Sequence, residues 1–103
     1  MRFLKEMYVG MGIKNKKKVL WKLKHGAGMI DIYVISIANG RDQLECTLCS
    51  YFKQKVIREQ VGLIVGLAKG YSEAQNLMVS MIEEALRETG SANVKDYIMN
   101  YKQ

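Results

Sequence analysis

The chain has 103 residues, 49% hydrophobic and 25% charged, with 16 Lys+Arg against 10 Asp+Glu and a formal net charge of +6. That is too apolar for a disordered chain, and no apolar run approaches the ~20 residues of a membrane-spanning helix. Two cysteines, one histidine and no proline argue against a disulfide framework, a four-ligand zinc centre and any site built on a cis-proline.

Residues 1–13 (MRFLKEMYVGMGI) mix Lys5 and Glu6 into the apolar stretch and interrupt it at Gly10 and Gly12. That is not a secretory core with a cleavage site, so the expected setting is cytoplasmic. Residues 1–50 hold nine Lys/Arg and four Asp/Glu, whereas residues 51–103 hold seven and six. Lys14, Lys16, Lys17, Lys18, Lys22 and Lys24 carry most of the excess. Such a run can attract nucleic acid. It can equally guard an exposed strand against pairing.

Val19–Lys24 (VLWKLK) alternates, which predicts a strand with Val19, Trp21 and Leu23 on one face and Leu20, Lys22 and Lys24 on the other. A loop at residues 25–28 leads into a β-favouring run, Met29–Ala38. Asn39-Gly40 predicts a type I′ turn into a third strand, Arg41–Ser50. Pairing Lys24 with Met29 sets Trp21 opposite Ile32 and Lys22 opposite Asp31. The Asn-Gly turn sets Ile35 opposite Leu44 and Tyr33 opposite Cys46. Both faces of the implied sheet are then apolar, and one carries Leu20, Tyr33, Ile35, Ile37, Leu44, Cys46 and Leu48.

Tyr51–Gln60 fits either an extension of the third strand or a short helix. Val61–Ala68 (VGLIVGLA) predicts a buried fourth strand, with Gly62 and Gly66 letting a helix lie close. Ser72 and Gln75 match a capping box before an apolar stripe from Ala74 to Leu86, and Gly90 closes that helix. A last short helix starts at Asn93, with Val94, Tyr97, Ile98 and Tyr101 in step.

The chemistry-bearing residues are scattered. Cys46 and Cys49 form a C-x-x-C, but mid-strand their side chains point to opposite faces, about 10 Å apart. His25 has no acid near it in sequence, as a turn histidine would not. Lys69, Gly70 and Ser72 lie where a strand meets a helix N-terminus and could hold an anion, although Ser72 already serves as the cap. Trp21 falls on the strand face opposite Lys22 and Lys24, which weakens base stacking and leaves backbone binding open.

The expected fold is α+β: one domain over residues 1–103, a four-stranded and mainly antiparallel β-meander, one long C-terminal helix on one face and a short terminal helix. No catalytic set, metal site or cofactor is expected. The primary function expected is a non-catalytic assembly or adaptor protein, homodimeric through Leu20, Tyr33, Ile35, Ile37 and Leu48, because one helix cannot cover both apolar faces. The alternatives are a nucleic-acid-associated accessory protein using Lys14–Lys24, and a small thiol-dependent protein using Cys46 and Cys49. No membrane partner is expected.

Overall fold

The structure, a computed structural model, describes residues 1–102. In chain order it forms β1 (Phe3–Val9), α1 (Lys16–Lys24), β2 (Ile32–Ile37), β3 (Leu44–Leu48), a 3-10 turn (Cys49–Lys53), α2 (Lys55–Gln60), β4 (Leu63–Lys69), α3 (Tyr71–Thr89) and α4 (Val94–Tyr101). The strands lie in the order β1-β4-β2-β3, with β1 parallel to β4 and β2 antiparallel to both its neighbours. The fold is α+β, but the sheet is mixed and its order is not that of a meander.

The largest departure from the sequence expectation is at residues 16–24, which form a helix and not a strand. Both periods fit VLWKLK, because Val19 and Leu23 lie on one face at spacing two and at spacing four. Lysine and leucine favour the helix, and Asn15 starts it: its side chain accepts from the Lys18 N–H at 3.1 Å. The strand that residues 19–24 do not supply is instead β1, at residues 3–9.

Both faces of the sheet are covered by this chain's own helices. On one, α1, the 3-10 turn and α2 close over a core of Val19, Leu23, Val34, Phe52, Ile64 and Leu67. On the other, α3 and α4 cover Leu4, Ile35, Ile37, Val65, Met81 and Ile98. The premise that a second molecule must cover an apolar sheet face is therefore corrected. Ile35 and Ile37 are buried beneath α3 and α4. Tyr33 and Leu48 are half-buried, and Leu20 lies on α1 against the opposite core.

The β2–β3 register is displaced by two residues, with Tyr33 opposite Leu48, Ile35 opposite Cys46 and Ile37 opposite Leu44. A two-residue shift keeps every side chain on its expected face. The turn is longer than Asn-Gly alone: the Ala38 N–H donates to the Gln43 carbonyl at 2.9 Å. Asn39 Nδ2 is engaged elsewhere, donating to the Gln60 carbonyl at 2.9 Å. Cys46 lies on β3 while Cys49 opens the 3-10 turn, so the two do not share one strand.

Gly70 and not Ser72 is the N-cap of α3, and Gly90 and Asn93 stand where expected, as C-cap of α3 and N-cap of α4. Gly62 and Gly66 serve strand contacts and not a helix. A Cβ at Gly62 would lie 1.8 Å from the Ile37 carbonyl oxygen, and one at Gly66 would lie 3.2 Å from that of Tyr8. No helix of the described residues is long and apolar enough to cross a membrane.

Candidate nucleic-acid interface

Winding residues 16–24 into a helix changes what their side chains do together. Val19 and Leu23, four apart, point into the core. The exposed face then carries Lys17, Lys18, Trp21, Lys24 and His25, with Lys14 just before the first turn. The strand expectation put tryptophan and lysines on opposite sides. The helix puts them on the same side.

Trp21 is 58% exposed. His25, the C-cap of α1, stacks on it with ring centroids 4.2 Å apart and planes 21° from parallel. His25 Nδ1 lies 2.7 Å from the Trp21 carbonyl oxygen. A carbonyl only accepts, so Nδ1 carries the proton and the ring is tied to its own helix.

The lysines stand where the helix itself disfavours them. The amino end of a helix bears a partial positive charge, and Lys16, Lys17 and Lys18 occupy the first turn of α1 with no acid beside them. Among the described residues, no carboxylate pairs with the side chains of Lys14, Lys16, Lys17, Lys18 or Lys22. The ion pairs lie elsewhere, at Lys55–Glu59, Lys95–Asp42 and Lys102–Glu84. Lys24 Nζ stands 5.1 Å from the Phe3 ring centroid, which holds it against β1.

Lysines remote in sequence join this cluster. A cleft of about 330 Å³ beside α1 is lined by Lys14, Lys18, Lys22 and Lys69 together with Met29 and Ile32. An adjoining basin of about 660 Å³ shares Lys22 and Lys69 and adds Lys53 from the 3-10 turn. No carboxylate lines either depression. A third, of about 430 Å³, gathers Arg2, Lys24, Lys55 and Arg58 with the single acid Glu59. The opposite layer is acidic: residues 71–102 hold Glu73, Glu83, Glu84, Glu88 and Asp96 against Arg87, Lys95 and Lys102. Lys53 and Lys69 were not legible as part of this set, because only the topology brings them to α1.

At the junction of β4 and α3, the backbone N–H groups of Lys69 and Gly70 already have partners. Lys69 N–H donates to Glu73 Oε2 at 2.6 Å, and Gly12 N–H to Oε1 of the same carboxylate at 2.8 Å. Gly70 N–H donates to the Asp31 carbonyl at 2.7 Å. The chain's own glutamate thus engages the Lys69 N–H. Asp31, expected opposite Lys22 on a strand, has φ 60° and serves this corner instead.

Both cysteines are free thiols, Cys46 half-buried and Cys49 buried. Burial pushes both thiols up. For Cys49 the charges of Lys22 and Lys53 and a backbone hydrogen bond at Met29 oppose that rise. A nucleophilic cysteine needs the reverse balance. Among the described residues, no three His, Cys, Asp or Glu side chains gather as a metal site.

Comparison with protein-family models, with curated proteins and with solved structures finds no match to this chain.

Proposed function

We propose that this protein is a nucleic-acid-associated accessory protein that holds a phosphate backbone against α1 and the lysines around it. The observation that carries this is the unpaired cluster Lys14, Lys16, Lys17 and Lys18 at the amino end of α1, where helix charge and side-chain charge add. A bound phosphate relieves repulsion that the free protein must tolerate. The segregation of charge supports the same reading, since an acidic opposite layer orients a polyanion toward α1.

Fluorescence anisotropy of a labelled oligonucleotide at two salt concentrations tests it. Each phosphate neutralised contributes roughly −0.7 to −0.9 to the slope of log affinity against log salt. Lys17→Gln with Lys18→Gln is expected to weaken binding and flatten that slope. Failure to bind at low salt, or binding indifferent to these substitutions, overturns the proposal.

A homodimeric assembly is the second reading, now supported by a different surface. Val79, Ile82 and Leu86 are exposed at 52%, 38% and 50% along one side of α3. Spaced three and four apart, they form an apolar seam that a second copy of α3 could meet about a two-fold axis. Size-exclusion chromatography with light scattering tests this, and a monomer at micromolar concentration removes it.

A further inference from the structure

Resting on the nucleic-acid reading above, we infer that the bound form is single-stranded, with an unpaired base stacked on Trp21. The indole lies at the centre of the basic face, with Lys17 and Lys18 before it and Lys24 after it. At 1.5 Å per residue these lysines span about 10 Å of helix axis. Phosphates on both sides of a base seated at the centre are therefore within reach. His25 stacks on the indole and is tied to the Trp21 carbonyl, so the two rings form one fixed aromatic block. A surface ordered in advance loses little freedom on binding.

Stacking needs a base whose face is open. In a duplex those faces are covered by neighbouring pairs, and a helix must read edges from the groove. A tryptophan at the middle of α1 would stand that helix off the groove floor. An anionic membrane fits the face less well than a single strand. A helix that lies in a bilayer surface buries an apolar side there, and the apolar side of α1, Val19 and Leu23, is committed to the core.

Trp21 is the only tryptophan of the chain, so its emission reports on this face alone. The experiment titrates the full-length protein with an oligothymidylate, with a duplex of equal length and with phosphatidylserine vesicles, following tryptophan emission and anisotropy. The expected result is quenching by the single strand, with Trp21→Ala weakening its binding about tenfold. Trp21→Phe should keep part of the affinity, and neither variant should change the salt slope. Because Trp21 is largely exposed, circular dichroism should show both variants folded. Single-strand binding unchanged by Trp21→Ala overturns the inference and leaves the basic-face proposal standing. So does a duplex bound as tightly as the single strand. Vesicles that quench while oligonucleotides do not overturn both. Failure of both nucleic acids to bind at low salt also removes the nucleic-acid reading itself.

Discussion

The phenol of Tyr8 on β1 donates to Glu84 Oε2 on α3 at 2.5 Å, joining residues 76 apart in sequence. Lys102 completes the cluster, its Nζ lying 3.5 Å from the same carboxylate oxygen and 5.5 Å from the Tyr8 ring centroid. Three elements far apart in the chain thus meet at one carboxylate: an edge strand, the long helix and the end of α4. Burial alone would raise the Glu84 pKa, but hydrogen bonds from Tyr8 and Tyr97 and the Lys102 charge outweigh it and hold the carboxyl below its ordinary value. Burial and the bond to Glu84 push the Tyr8 phenol up, so it stays a donor throughout the neutral range.

From this follows a pH dependence of stability. A carboxyl whose folded pKa is depressed contributes stability above its ordinary value, here 4.5. That contribution is lost as pH falls through the folded value. Tyr8→Phe is expected to cost about 1.5–3 kcal/mol at pH 7, the scale of one hydrogen bond to a charged group. The cost should shrink as pH falls below the ordinary carboxyl value and Glu84 protonates. Urea melts of wild type and variant at several pH values measure both; a cost independent of pH refutes the assignment.

Reversing charge on α1 should separate stability from binding. Lys17→Glu and Lys18→Glu place acids at the positive end of the helix and should each stabilise it by about 0.3–1 kcal/mol. The same changes should remove oligonucleotide binding. Thermal melts read the first effect and anisotropy the second, and a variant less stable than wild type contradicts the electrostatic account.

Gly62→Ala is expected to be among the most damaging single substitutions. Its Cβ would fall 1.8 Å from the Ile37 carbonyl oxygen, a backbone atom with no side chain to swing away. We expect a cost above about 3 kcal/mol, in the range of strained-backbone and overpacking mutants. Gly40→Ala is the control: its φ is 74° but nothing lies within 4 Å of the added carbon. Its cost should stay near 1 kcal/mol. Circular dichroism with denaturant melts compares the two.

The thiols should be slow. Cys46, half-buried, is expected to react with an aromatic disulfide reagent before Cys49, which is buried beside Phe52. Both should react quickly once the protein is unfolded in guanidinium. Fast labelling of Cys49 in the native state at pH 7 would reopen a thiol-based chemistry.

Where local signals agree, the sequence and the fold correspond. The β-favouring Ile, Val and Tyr run of β2, the stripe of α3, the αL glycine at Gly90 and the cap at Asn93 each have a single cheapest conformation. Residues 16–24 do not, since Val19 and Leu23 share a face in a strand and in a helix alike. Asn15, an N-cap residue three before Lys18, was the signal that decides between them. That one choice carried the rest: as a strand the segment leaves a sheet face bare, and as a helix it covers that face. It also moved Trp21 among the lysines. The contributions of Lys53 and Lys69, and the pairing of β1 with β4, depend on contacts between segments remote in sequence and have no local signature.

The position of β4 governs how the molecule can be made. Among the described residues it is the only strand beside β1, and it separates β1 from the hairpin of β2 and β3. As the chain leaves the ribosome, β1 has no strand to join until residues 63–69 have emerged. Until then the underside of α1 lacks Ile64 and Leu67 to rest on. Sheet closure is thus a late event that must gather both halves of the chain at once. Such long-range pairing belongs to domains that fold in milliseconds to seconds and not in microseconds.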